Sequence, residues 1–288
     1  MYKVLLDMQI AQWGVDIYNY FMGFLQSLLT ESPQTFLGGT LWNVVTIIHD
    51  AMIPVGEALI VTCFLISIFS STTNIKELKS WEHVLSLVFR FAVAQGLVVA
   101  SLDIVSWISD IAQVVTKTIS SAAGVDTKIT FEIPANVVAA AGQMGFGVAQ
   151  WQEYWFNMVL SIIFFLVCVA SAVALVLIVY ARFFKIFMFV AFSPVPIATF
   201  AGGDTQLSQI SKKYLLSFLG VCMQAALIML AFIVYQTYAS VQPAILPDAG
   251  SAANGAIVTF WLVRTSFMQI LLVVLVKGSD QLVKLMGM

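Results

Sequence analysis

Charged side chains are scarce in this sequence. Only 10% of the 288 residues are Asp, Glu, Lys or Arg, whereas 60% are hydrophobic, and the mean hydropathy is +0.96. Soluble domains carry about 25% charged residues. A soluble globule of this composition could not cover its surface with polar groups, so a lipid bilayer is expected to be the main solvent. The composition therefore excludes an ordinary soluble domain and predicts an all-α integral membrane protein with several spans.

Other classes of protein are excluded by motifs that the sequence lacks. The net charge is −2, and no run of basic residues suggests a nucleic-acid-binding patch. The three cysteines have neither disulfide nor metal-ligand spacing, so they are interpreted as small buried hydrophobic residues. No zinc-protease, nucleotide-binding or serine-hydrolase motif occurs. We therefore expect no enzymatic activity, no cofactor and no metal site.

The N-terminal residues 1–40 are predicted to form an amphipathic helix followed by a linker. Polar or small residues recur every three or four positions along one face, at Gln9, Gln12, Asp16, Asn19, Gly23 and Gln26. Apolar residues recur on another face, at Ile10, Trp13, Ile17, Phe21, Phe24 and Leu28. The pattern is typical of a helix that lies on a membrane or packs on a neighbour. The alternative is an irregular first span.

About five apolar segments are predicted to be transmembrane helices. Residues 41–104 contain the first two, at 51–69 and 84–104, and residues 153–288 form a core with three more, at 155–180, 214–238 and 257–276. Between these groups, residues 105–152 are too polar to span and are predicted to form short amphipathic helices outside the cytoplasm. No repeat or pair of matching halves is visible.

Residues 183–201 form an apolar segment that contains Pro194 and Pro196. Each proline lacks a backbone N–H, and each pushes the preceding residue out of the helical region. Broken backbone at membrane depth must be buried against protein or line a wet cavity. We predict a re-entrant segment that enters and leaves on the cytoplasmic side. A kinked ordinary span is the alternative.

The distribution of basic residues favours the re-entrant topology. In this topology the N-terminus is outside and the C-terminus is in the cytoplasm, so that three basic residues lie outside and Arg264 lies within a span. The other nine lie at or near the inner face: Lys76, Lys79, Arg90, Arg182, Lys185, Lys212, Lys213, Lys277 and Lys284. A crossing segment would leave five inside against seven outside. Cytoplasmic loops of membrane proteins carry an excess of Lys and Arg. The predicted location is therefore the cytoplasmic membrane, with this orientation.

Several charged residues lie at predicted membrane depth. Glu57 and Arg264 share a depth of about 10 Å below the outer face and have opposite charge, so we predict that they pair. The alternative is a snorkelling Arg264 and a protonated Glu57. Arg90 is expected to snorkel to the inner interface, and His49-Asp50 is expected to be a solvated edge rather than a metal site.

The order of segments after residue 155 resembles a known family. A long span ends in "YARFFKIF", the proline-containing "FMFVAFSPVPIATFAGG" follows, and the polar "DTQLSQISKKYL" opens another span. This arrangement over residues 155–240 resembles the TrbL-like membrane subunits of type IV secretion systems, in the short form from Gram-positive conjugative elements. Tyr214 stands where many relatives have Trp.

The resemblance implies a channel or scaffold subunit for conjugative DNA transfer. Such a subunit would act as a homo-oligomer with secretion ATPases, a coupling protein and extracellular or stalk subunits. Its transient cargo would be relaxase-bound single-stranded DNA. A small-molecule permease and a scaffold without a pore are the alternatives. Residues 105–152 contain more acidic than basic side chains, which argues against direct binding of DNA by that section.

The predicted topology can be tested by cysteine labelling. Cysteines introduced singly from Asp204 to Gln209 are expected to react only with reagents that reach the cytoplasm, because both ends of the re-entrant segment face that side. The measurement compares permeant and impermeant maleimides on intact cells. Labelling from outside alone would contradict the topology.

Overall fold

The computed structural model describes residues 2–72, 81–122, 131–142, 148–202, 206–240 and 254–286. Within these ranges the chain forms helices and no strand. The α-helices are α1 (Tyr2–Thr30), α2 (Thr40–Thr72), α3 (Trp81–Val99), α4 (Ser101–Ala122), α5 (Ala135–Gly142), α6 (Val148–Phe192), α7 (Pro194–Ala198), α8 (Gln206–Ser240) and α9 (Asn254–Met286). Short 3₁₀ turns cover Phe36–Gly39 and Thr199–Gly202.

Four of the described helical segments are long and apolar enough to cross a membrane. They are Phe36–Phe69, Trp155–Phe192, Ser208–Tyr238 and Asn254–Val283. A fifth candidate exists if the bent pair Leu85–Val99 and Ser101–Ala122 counts as one span. The prediction of an all-α polytopic membrane protein is confirmed.

The predicted span 84–104 is interrupted. Helix α3 ends at Val99, and α4 leaves it at an angle of 65°. Ser101 stands at this bend, where its hydroxyl donates to the Val98 carbonyl at 2.6 Å. Its oxygen lies 2.8 Å from His49 Nε2 on α2, so that nitrogen is the donor of the second bond. The bend is therefore tied to α2 by a buried polar contact.

His49 does not lie at a solvated edge, contrary to the prediction. Its side chain is 1% exposed and contacts Ser101 through Nε2, whereas Asp50, whose Oδ1 lies 3.2 Å from His49 Nδ1, has a side chain that is 63% exposed. The sequence treats the two residues as a pair, but adjacent positions on a helix point in directions about 100° apart. Only Asp50 faces outward.

Helix α4 has a packed face and an exposed face. Its packed face carries small and polar residues, at Ser101, Val105, Ser109, Ala112 and Thr116. The opposite face is exposed and mixed, because apolar Trp107, Ile111 and Val114 alternate there with the charged residues Asp103, Asp110 and Lys117. This pattern is typical of a helix that meets protein, lipid and water at once. The location of residues 105–152 outside the bilayer core stays a prediction.

The third predicted span is longer than expected. Instead of ending at Tyr180, α6 continues as one helix to Phe192, and the first ten residues of the segment 183–201 belong to it. No proline or glycine stands between Tyr180 and Ser193, and the basic residues there do not interrupt backbone hydrogen bonding. The backbone break falls at Ser193, and whether the segment is re-entrant stays a prediction.

The described helices fall into two compact units. Unit 1 comprises Met1–Leu29, Thr118–Tyr180 and Leu227–Ser279, and unit 2 comprises Thr30–Lys117, Ala181–Ala226 and Asp280–Met288. In unit 1, α6 and α9 are joined by a hydrogen bond of 2.6 Å from Thr259 to Asn157, and the Phe164 and Trp261 rings lie 5.5 Å apart. A polar contact and an aromatic contact thus align the same two helices.

Helix α1 packs in unit 1 through a face that the sequence pattern did not single out. The buried residues include Ala11, Val15, Tyr18, Met22 and Leu25, whereas of the predicted apolar face Leu28 is buried but Trp13 and Phe24 are 58% and 40% exposed. On the polar face, the Asn19 amide exchanges two hydrogen bonds with the backbone of Phe131, at 2.7 and 2.9 Å. The helix therefore has a third face, which meets protein.

Close packing of α1 on α6 depends on Gly14. A Cβ atom there would lie 3.3 Å from the Phe165 Cα and 3.4 Å from Cys168 Sγ, whereas a Cβ at Gly23 would meet nothing within 4 Å. We expect Gly14→Leu to lower the free energy of unfolding by about 1–3 kcal/mol, since overpacking forces the helices apart. Gly23→Leu is the matched control because both changes alter helix propensity equally. Thermal melting in detergent measures the difference, and equal melting temperatures would contradict the contact.

Candidate functional site

The proline-broken stretch of unit 2 is the candidate site, and residues 183–201 are called the broken segment. Pro194 opens α7, at the first turn of a helix, where no intrahelical partner for its N–H is needed. Across the break, the Ser193 N–H donates to the Val190 carbonyl at 3.2 Å, and the Ile197 N–H donates to the Ser193 carbonyl at 3.3 Å. The prolines therefore start a new short helix. The prediction that the residue before each proline leaves the helical region is wrong, because Ser193 keeps helical angles (φ −55°, ψ −35°) and Val195 lies within α7.

Protein covers the end of the broken segment. Ile197, Ala198 and Ala201 belong to one buried apolar cluster with residues of α2 and α3, namely Ile60, Cys63, Ala94 and Val98. Gly56 of α2 allows this approach, because a Cβ atom there would lie 3.0 Å from the Pro194 carbonyl oxygen and 3.1 Å from Val98 Cγ1. The irregular backbone thus lies against two predicted spans.

Tyr214 of α8 completes the end of α6. Its hydroxyl donates to the Phe189 carbonyl at 2.5 Å, and the two rings lie 5.5 Å apart. The last carbonyls of a helix have no intrahelical partner. Here the Ser193 N–H bonds to Val190 and not to Phe189. The tyrosine therefore satisfies a carbonyl that the proline break leaves without its usual donor.

Glu57 lies beside Gly56 and has a partner that the sequence did not predict. Gln95 Nε2 of α3 donates to Glu57 Oε1 at 3.3 Å. Because α2 and α3 run antiparallel, the two polar residues lie at the same level. Arg264 belongs to unit 1, where its Nη1 is buried without a hydrogen bond among the described residues. Its pairing with Glu57 stays a prediction.

Lys185 is part of a polar contact among three helices. Its Nζ lies 3.0 and 3.1 Å from the two carboxylate oxygens of Asp280 on α9. Gln224 Nε2 of α8 donates to Asp280 Oδ1 at 2.8 Å. Lys185 was singled out from the sequence by its positive charge. Asp280 and Gln224 were not, because the distribution of basic residues across the membrane says nothing about acidic or amide partners. The contact joins α6, α8 and α9 near the broken segment.

Arg182 lies one turn before Lys185 and is almost fully buried. It is 4% exposed, its Nε and Nη1 have no hydrogen-bond partner in the described part of the chain, and its guanidinium lies 5.0 Å from the centre of the Phe183 ring. The ring face is a favourable neighbour for a cation. Arg90, the remaining selected cation, is half-buried on α3, and its snorkelling stays a prediction.

The chemistry of the described residues is that of packing and charge pairing. No group of three or more His, Cys, Asp or Glu side chains within the described ranges could hold a metal ion. Cys63, Cys168 and Cys222 are free thiols, and all three are buried. An apolar groove of about 370 Å³ on α8 is lined by Ile233, Val234, Thr237 and Tyr238.

Comparison with known families accounts for this architecture. A family described as TrbL/VirB6 plasmid conjugal transfer like protein matches residues 19–194, which is more than half of the chain. The match begins within α1 and ends at Pro194, so it extends further toward the N-terminus than the resemblance seen at residues 155–240 and shares residues 155–194 with it. No curated protein and no solved structure matches the chain. The chain belongs to the TrbL/VirB6 plasmid conjugal transfer-like family of type IV secretion membrane components.

Proposed function

We propose that this chain is a channel subunit of a type IV secretion apparatus that transfers DNA during conjugation. It acts as a homo-oligomer, together with secretion ATPases, a coupling protein and other channel subunits, and it carries out no chemistry itself. Relaxase-bound single-stranded DNA is the transient cargo. Family membership and the polytopic all-helical architecture support this assignment.

The broken segment is the observation that carries the proposal. In membrane proteins, irregular backbone at membrane depth occurs where protein or a wet cavity covers it, and discontinuous helices often line transport paths. Here the break at Ser193 is covered by α2 and α3, with Pro194 against Gly56. We assign the contact with either the cargo path or a neighbouring subunit to the exposed side of this segment, at Phe184, Met188 and Phe192, while its covered side fixes the segment on the bundle.

The section around α4 is assigned to partner subunits rather than to DNA. Its exposed charged residues include the acidic Asp103 and Asp110 alongside Lys117. Binding to phosphates would require a basic surface. Extracellular or stalk-like subunits are therefore the proposed partners of this section.

Gly56 provides a direct test of the channel role. We expect Gly56→Leu to reduce the frequency of conjugative transfer by about tenfold or more, because a side chain there collides with the Pro194 backbone and overpacking costs about 1–3 kcal/mol. Gly96→Leu on α3 is the matched control, since a Cβ at Gly96 meets nothing within 4 Å. Membrane levels of both variants are measured by immunoblot.

Two outcomes would contradict the assignment. Equal transfer by the two variants at equal membrane levels would remove the broken segment from the function. A wild-type protein that purifies as a monomer in mild detergent, without assembly in a lipid nanodisc, would contradict an oligomeric channel and favour a scaffold.

The Lys185–Asp280 pair gives a second test. Lys185→Asp replaces an opposite-charge contact with two carboxylates on facing helices and is expected to lower both the melting temperature and the transfer frequency. Adding Asp280→Lys restores opposite charges and should recover most of both losses. The pair is partly exposed, so its stabilisation is about 0.2–1 kcal/mol.

The control for this charge reversal is Lys212→Asp, at an exposed position of α8 twelve residues before Gln224. That change alters the net charge equally without touching Asp280, and it should leave transfer close to the wild-type level. If the double reversal behaves like the single one, the pair has no role as a contact between helices.

A further inference from the structure

Four helices of unit 1 each contribute one polar side chain to a buried cluster. These residues are Tyr18 on α1, Cys168 on α6, Tyr235 on α8 and Gln269 on α9, and they are called the polar node. None is more than 3% exposed. Neither the family resemblance nor any sequence pattern indicates a role for these four residues.

The members of the node lie close to one another. Gln269 Nε2 donates to Cys168 Sγ at 3.2 Å. Tyr18 is a near neighbour of Tyr235 and of Cys168, and Gly14, one turn earlier on α1, lies against the Cys168 side chain. The two tyrosine hydroxyls are near each other, but neither has a hydrogen-bond partner in the described part of the chain.

Three atoms of the node are buried without a hydrogen-bond partner in the described part of the chain. They are the hydroxyls of Tyr18 and Tyr235 and the Oε1 atom of Gln269. Leaving one such group unsatisfied costs about 1–3 kcal/mol. Most buried polar groups in folded proteins have a partner, which is protein or an ordered water. Three unsatisfied atoms in one cluster therefore point to a molecule that bonds to all of them.

The chemistry of the three atoms selects the ligand. Each tyrosine hydroxyl can donate one hydrogen bond and accept others, whereas Gln269 Oε1 only accepts. Burial raises the pKa of Tyr18 well above its ordinary value, so its hydroxyl keeps its proton. The node thus offers neutral donors and acceptors and no negative charge. A cation would favour several oxygens with anionic character, while a water molecule needs two to four polar partners of both kinds.

We propose that the polar node encloses one ordered water molecule. The water donates one hydrogen to Gln269 Oε1 and accepts from the hydroxyls of Tyr18 and Tyr235. Through it, α1 is joined to α8 and α9 by hydrogen bonds and not by apolar contact alone. Such bonds matter more in a lipid environment, where apolar surface does not drive helices together.

A high-resolution structure of the full chain in a lipid nanodisc tests the site directly. We expect a density peak within hydrogen-bonding distance of Tyr18 OH, Tyr235 OH and Gln269 Oε1. Direct hydrogen bonds between a tyrosine hydroxyl and the Gln269 amide oxygen, with no density between them, would overturn the proposal.

A double-mutant cycle gives an independent measurement in detergent. Tyr18→Phe and Gln269→Leu should each lower the melting temperature, and the double variant should lose less than the sum, because both changes remove partners of the same water. Tyr20→Phe is the matched control on α1, since Tyr20 is 75% exposed, and its effect should add to that of Gln269→Leu. Additive losses for Tyr18→Phe and Gln269→Leu would contradict a shared water.

A third measurement separates water from a cation. The melting temperature of the wild-type protein should be the same in potassium, sodium and choline chloride at equal ionic strength. A shift that one cation causes and that Tyr18→Phe or Gln269→Leu abolishes would show an ion in the node and would overturn the water assignment.

Discussion

The break in the backbone at Ser193 is the constraint on which the rest of unit 2 depends. Lipid cannot hydrogen-bond to the polar groups that a broken helix exposes, so neighbouring protein must cover or satisfy them. Gly56 leaves room for the Pro194 carbonyl, and Tyr214 donates to the Phe189 carbonyl. One short stretch of chain thereby contacts α2, α3 and α8.

Polar side chains are few in this protein, and several of them connect neighbouring helices. Examples are Glu57 with Gln95, Lys185 with Asp280, and Asn157 with Thr259. In water the burial of apolar surface would identify the packing face of each helix, but in lipid an apolar side chain gains little by leaving the acyl chains. Polar contacts and small residues therefore specify which helices are neighbours, and a family defined by its pattern of spans can keep a defined bundle with very few charges.

The existence of the helices was predicted better than their buried faces and their ends. On α1, the apolar row with Trp13 and Phe24 remains exposed while Tyr18 is buried, since hydropathy does not separate contact with lipid from contact with protein. Helix α6 continues past Arg182 because charge does not stop a helix when the side chain can pack or pair. The break at Pro194 was predicted correctly, since a missing N–H is a local property of the residue.

The amino-acid sequence by itself determined the family and the helical membrane-spanning class. The class follows because a long apolar run in lipid has to satisfy its backbone hydrogen bonds within itself. It also determined the break at Pro194, but not the bend of 65° between α3 and α4. Only the tertiary structure decided that Gln95 contacts Glu57, that Asp280 contacts Lys185, and that four helices meet at Tyr18 and Gln269. These residues lie far apart in the sequence. Their contacts depend on the register and rotation of packed helices, which no local pattern specifies.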